Sequence, residues 1–125
     1  MEWLPNDYEG FWTLAGSVCR EGIGLHRGKN FSTELSPSTK EGFHVSWFEN
    51  EALPITLNPK QVINSSLCTS LKLGDKRLST VEHLLAALSG CGITHANIKV
   101  SGEEIPLLDG SAICWVEAIK EVGIT

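Results

Sequence analysis

Hydrophobic and polar positions alternate along much of the chain, and the period of that alternation predicts the elements. Over residues 12–20, Trp12, Leu14, Gly16 and Val18 fall on one side and Thr13, Ala15, Ser17 and Cys19 on the other, the two-residue period of a strand. Phe31, Thr33 and Leu35 alternate with Ser32, Glu34 and Ser36, and Phe43, Val45 and Trp47 with His44, Ser46 and Phe48. A glycine-punctuated segment, EGIGLHRGK, separates the first two runs, and a turn over 37–42 separates the next two. Residues 55–57 read as a short strand, 61–73 as β-like with 67–71 the clearest part, and 74–76 as a turn.

The period becomes helical at Ser79. Val81, Leu84, Leu85 and Leu88 form an i, i+3, i+4, i+7 stripe, Ser79 and Glu82 fit a capping box, and Gly90 and Gly92 supply the stop. Ala96, Ile98 and Val100 then alternate with Asn97, Lys99 and Ser101 as a half-buried strand. After an extended stretch over 102–108, Ala112, Trp115, Val116 and Ile119 mark a second helix. Asp109 or Ser111 can cap it, and Gly123 ends it. Several strands, a helix, a strand and a helix predict an α+β fold, a two-layer sandwich of one sheet with both helices on one face. A doubly wound α/β fold does not begin with four or more strands.

The chain has 125 residues, 42% of them hydrophobic and 20% charged, which is enough for one core and unlike a disordered chain. Residues 1–10 read as an irregular lead-in and 11–125 as a single domain. The net charge is −5, with acids concentrated at both ends, which argues against nucleic acid as a partner. No apolar run reaches the ~18 residues of a membrane helix, and MEWLPNDYEG lacks the features of a signal peptide. Cys19, Cys68, Cys91 and Cys114 form no C-x-x-C pair and read as reduced thiols of a cytoplasmic protein.

Few residues offer chemistry. The glycines at 22, 24 and 28 miss a dinucleotide fingerprint, because Arg27 stands where the third glycine belongs. His26, flanked by these glycines, reads as exposed. Cys91 and His95 are spaced C-x₃-H, but two ligands do not make a zinc site. On a helical wheel with Val81 at zero and ~100° per residue, His83 falls near ~200°, off the stripe, beside Ala86, Ala87 and Gly90. Such small residues let a ligand or another backbone come close. Glu82, near ~100°, has two readings. It is either the reciprocal half of the capping box or a general base beside a metal-bound water. A carboxylate turned back to the Ser79 N–H cannot also face a substrate. The H-E-x-x-H pattern is absent.

GIGLHRGK, SSLCTSL, STVEHLLAALSGCGI and EIPLLDGSA occur in this order. Together they resemble the N-terminal half of the UDP-3-O-acyl-N-acetylglucosamine deacetylases, zinc-dependent amide hydrolases of lipid A biosynthesis. The resemblance implies a mixed β-sheet with two helices on one face and a left-handed β-α-β crossover. It implies that His83 is a Zn2+ ligand, that Glu82 is the general base for the attacking water, and that Leu25, His26, Leu67, Cys68 and Thr69 line the substrate site, the last three on a strand. Asp109-Gly110-Ser111 matches the family's turn into the second helix. Gly92-Ile93-Thr94-His95 departs from the family's usual Gly-Ile-Asp-Asn.

In that family a second half supplies the remaining zinc ligands and a further catalytic histidine. A catalytic zinc needs three protein ligands, so the resemblance implies an incomplete site. It implies a missing C-terminal domain or a complementary chain as partner, and inactivity of these 125 residues alone. The alternative reading is a non-catalytic binding or interaction domain that reuses the fold.

Overall fold

The computed structural model describes residues 3–25, 28–63 and 67–125. In chain order it holds β1 (Val18–Ile23), β2 (Asn30–Ser36), β3 (Gly42–Trp47), β4 (Asn50–Thr56), β5 (Val62–Ile63), β6 (Ser70–Leu73), β7 (Lys76–Ser79), α1 (Glu82–Gly90), β8 (His95–Val100) and α2 (Ile113–Val122). Among the described residues these form two sheets, β1-β2-β8-β3-β4 and β5-β6-β7. The α+β reading holds.

β8 runs through the middle of the larger sheet, antiparallel to β2 and parallel to β3. Its register carries the alternation across the sheet. Leu35 and Val45 flank Ile98, and Thr33 and Trp47 flank Val100, on one face; Glu34 and Ser46 flank Lys99 on the other. Leu35, Val45, Ala96, Ile98 and Val100 are all but inaccessible, and they share one core with Leu84 and Leu88 of α1 and with Trp115, Ala118 and Ile119 of α2. Both helices therefore cover the same apolar face. Arg20 of β1 pairs with Glu121 of α2 at 2.6 Å. That pair is largely exposed and contributes at most about 1 kcal/mol.

The departures from the sequence reading have local causes. Residues 12–17 alternate like a strand, but among the described residues their one β-bridge is between Leu14 and Ile124, and the regular ladder starts at Val18. Lys76, read as the end of a turn, and Ser79, read as a helix cap, both belong to β7, which pairs with β6 as a second sheet. Leu71, Leu73 and Leu78 carry that sheet into the core. The Ser79 N–H donates to the Glu103 carbonyl at 2.7 Å, so no capping box forms and α1 starts at Glu82. The buried arc of α1 also differs from the predicted stripe. Ala87 is 1% exposed, whereas Leu85 and His83 are half-buried and flank the arc. Turning the helix in this way brings Cys91 into the core, where burial raises its thiol pKa above the ordinary value.

The lead-in is irregular over its described part but closely packed. Trp3 and Leu4 pack on the core, Pro5 is buried, and the Tyr8 ring lies over Gly92. A Cβ at Gly92 would stand 2.8 Å from that ring, and its φ of +79° is itself glycine's territory.

The turn into α2 is held by side chains. Asp109 Oδ1 accepts from the Ser111 N–H at 3.0 Å and from its hydroxyl at 2.8 Å. Ser111 Oγ in turn accepts from the Ile113 N–H at 3.2 Å. The Ser111 hydroxyl and N–H hold the Asp109 carboxyl below its ordinary pKa. A lowered folded-state pKa stabilises above the unfolded pKa of about 3.9, and that contribution is lost as pH falls through the folded value. Asp109→Asn should therefore be less stable than the parent near neutrality, with the gap closing as the solution is acidified below about pH 4. Urea denaturation across that range checks this. A gap independent of pH would mean that the charge plays no part.

Candidate functional site

The site is built where α1 begins. β7 ends at Ser79, and the chain turns into the helix through Thr80, whose φ of +62° lies in the left-handed region. A β-branched residue seldom sits there, and the conformation costs about 1–3 kcal/mol. Four hydrogen-bond contacts tie this turn to Thr69. The Thr69 carbonyl accepts from the N–H of Thr80 at 2.9 Å and of Val81 at 3.3 Å. The Thr69 N–H donates to both carboxylate oxygens of Glu82, at 3.2 and 3.3 Å. Glu82 thus occupies the first turn of α1, where the helix dipole favours an anion, and its partner is Thr69. Of its two sequence readings, the capping one is excluded.

His83 follows on the rim of the buried arc, half-buried, and makes no hydrogen bond among the described residues. The other described histidines are engaged. His44, 4% exposed, has Nε2 3.0 Å from the Lys40 carbonyl and Nδ1 2.9 Å from the Thr56 hydroxyl. Because a carbonyl only accepts, the neutral ring carries its proton on Nε2 and accepts from Thr56 at Nδ1. His95 Nδ1 lies 2.8 Å from the Thr94 hydroxyl. Of these three imidazoles, His83 is the one whose nitrogens are open to a ligand.

The remaining candidates separate. Thr69 is brought onto Glu82. Cys68 is half-buried, its Sγ 3.7 Å from Ser70 Oγ. Leu67 is 87% exposed with a φ of +66°. These three residues precede β6 rather than forming part of it, which corrects their placement on a strand; the left-handed Leu67 cannot continue one. Leu25 is exposed just beyond β1. Its neighbour Gly24 is packed so closely that a Cβ there would lie 2.7 Å from the Phe31 ring and 2.9 Å from the Glu104 carboxyl. His26 lies outside the described residues.

Glu104 is the residue that sequence reasoning missed. It is 1% exposed, and its Oε2 accepts from the Thr80 hydroxyl at 3.3 Å. Its segment is bridged to Ser79, with the Ile105 N–H donating to the Ser79 carbonyl at 3.0 Å. A buried acid beside Thr80 gathers the end of β7, the start of α1 and the Gly24 loop at one place. The adjacent acids at 103 and 104 were the available signal, and composition alone reads such a pair as surface.

Among the described residues no three His, Cys, Asp or Glu side chains converge as a metal site. One carboxylate and one imidazole, Glu82 and His83, do not on their own fit a catalytic zinc. No described helix is long and apolar enough to cross a membrane.

Residues 12–125 match the family model described as UDP-3-O-acyl N-acetylglycosamine deacetylase. A protein of Citrifermentans bemidjiense named UDP-3-O-acyl-N-acetylglucosamine deacetylase is 38% identical over 115 residues, which cover 90% of this chain and 37% of that protein. Proteins of the same name from Trichormus variabilis and Brucella melitensis biotype 2 are 41% and 35% identical, and the matches cover 41% and 40% of their lengths. The chain thus spans roughly two-fifths of the curated relatives it matches.

Proposed function

Since the chain belongs to the UDP-3-O-acyl N-acetylglycosamine deacetylase family, we propose that it is the N-terminal part of a cytoplasmic hydrolase that removes acetate from UDP-3-O-acyl-N-acetylglucosamine in lipid A biosynthesis. The observation that carries this reading is the Thr69–Glu82 contact, which holds a carboxylate in place one residue before an imidazole with no hydrogen bond among the described residues. Glu82 takes a proton from the water that adds to the acetamide carbonyl. The carbon–nitrogen bond then breaks, the proton passes to the leaving nitrogen, and acetate and a free amine result.

His83 would supply one zinc ligand, and the others would come from the portion of the family beyond this span. Zinc held there would make the attacking water more acidic and polarise the carbonyl. Leu25, His26, Leu67, Cys68 and Thr69 line the substrate side of this half. Of these, Cys68 and Thr69 are half-buried, whereas Leu67 is 87% exposed.

The test is a calorimetric zinc titration and an acetate-release assay. One imidazole competes poorly with water for zinc, so the lone chain is expected to bind no stoichiometric tight zinc and to release no acetate. Adding a separately produced C-terminal portion, taken from a relative such as the Trichormus variabilis protein, should restore both. Turnover by the lone chain, or none by the completed pair, refutes this reading; the second result favours the non-catalytic alternative.

A further inference from the structure

The general-base reading of Glu82 requires its carboxylate to point in one direction, yet Glu82 begins a helix with no side-chain cap. What sets that direction is the turn before it. Thr80, 1% exposed, is held in a left-handed conformation that threonine rarely adopts. Asparagine, aspartate or glycine would reach the same φ with less strain. What threonine offers here is a hydroxyl that donates to the buried Glu104 at 3.3 Å. With Thr80 so held, its N–H and that of Val81 converge on the Thr69 carbonyl, and the Thr69 N–H turns toward Glu82.

We propose that Thr80 and Glu104 form a positioning pair that sets the start of α1, and through Thr69 aims Glu82 and His83. Neither residue touches the reacting groups. Glu104 fixes the strained turn, the turn fixes Thr69, and Thr69 fixes the base. The same carboxyl packs against Gly24, so it also ties the loop carrying Leu25 to the helix start. The activity arm of this inference rests on the deacetylase reading; the structural arm does not.

The test reads the Thr69 amide by NMR on the ¹⁵N-labelled chain, since that proton reports its bond to the Glu82 carboxylate. Thr80→Gly relieves the backbone but deletes the hydroxyl. It is expected to stay folded, as judged by the methyl resonances of Leu88 and Ile98, and to shift the Thr69 amide toward its position in Glu82→Ala. Thr80→Ser keeps the hydroxyl and should leave that resonance in place. Glu104→Ala deletes the acceptor and should reproduce the Thr80→Gly shift; should it fail to fold, the two Thr80 variants decide alone.

In the completed enzyme, kcat of Thr80→Gly and Glu104→Ala should fall about 10–100-fold, as expected when a catalytic group is misplaced by a fraction of an ångström. KM should stay within about two-fold, and Thr80→Ser should retain parental kcat. An unmoved Thr69 amide in Thr80→Gly, or Thr80→Ser behaving like Thr80→Gly, overturns the positioning role. A completed parent enzyme without turnover overturns the deacetylase reading, and the amide shifts then judge the pair by themselves.

Discussion

Glu82→Gln is expected to lower acetate release by the completed enzyme about 10²–10⁴-fold, the range general-base catalysis supplies. The substitution suits the site. Glutamine keeps an oxygen that can accept the Thr69 N–H, now bonded at 3.2 and 3.3 Å, so the start of α1 should hold its shape. What disappears is basicity. Stability should change by no more than about 0.5 kcal/mol, as at sites where no packing is lost, and zinc affinity of the completed pair should be unaltered. Retention of most of the activity would remove Glu82 from the mechanism. A matching loss of zinc affinity would instead make it a ligand.

Leu88→Ala should destabilise the chain by about 2–5 kcal/mol, the cost of removing a fully buried leucine from a packed core. Leu88 is 0% exposed and lies on the sheet beneath α1. The comparison with Leu85 matters most. The repeat in the sequence ranks the two leucines equally, but Leu85 sits at the margin of the arc and is half-buried. Leu85→Ala should cost clearly less, since less surface returns to water and the cavity can fill with solvent. Ala87→Leu, which forces bulk against the core, should cost about 1–3 kcal/mol. Urea denaturation of the three variants ranks them, and equal losses for Leu85 and Leu88 would rule out the observed rotation of α1.

The same rotation explains what could be read from residue order. Ala96, Ile98 and Val100 alternate because β8 is buried on one face, and Phe31, Thr33 and Leu35 do so for the same reason. Local patterning suffices there. It fails where a distant partner decides. Ser79-Thr80-Val81-Glu82 has the composition of a capping box, but Ser79 is taken by Glu103, and Glu82 by Thr69. Alanine at 87 reads as neutral on a wheel, so the stripe of larger side chains keeps Val81, Leu84 and Leu88 but places the centre of the arc about 50° too far toward Leu85.

The candidate site was legible only in part. Glu82 and His83 stood out through the family resemblance, while the contact between Thr69 and Glu82 bridges thirteen residues. A left-handed threonine leaves no trace in composition. Nor does the burial of Glu104, which follows from where its strip of chain meets Ser79.

The placement of β8 has a consequence for how the chain is made. Among the described residues it is the last strand in chain order and the central strand of the larger sheet. Until the ribosome has released residue 100, β1–β2 and β3–β4 exist only as separate hairpins, each with an unsatisfied edge where β8 will lie. Isolated hairpins are marginal in water, and open edges invite pairing with other chains. Nascent chains stalled before β8 should therefore be protease-sensitive and bind chaperones. Acquisition of the fold waits on a strand that joins the two hairpins, a long-range step that slows folding.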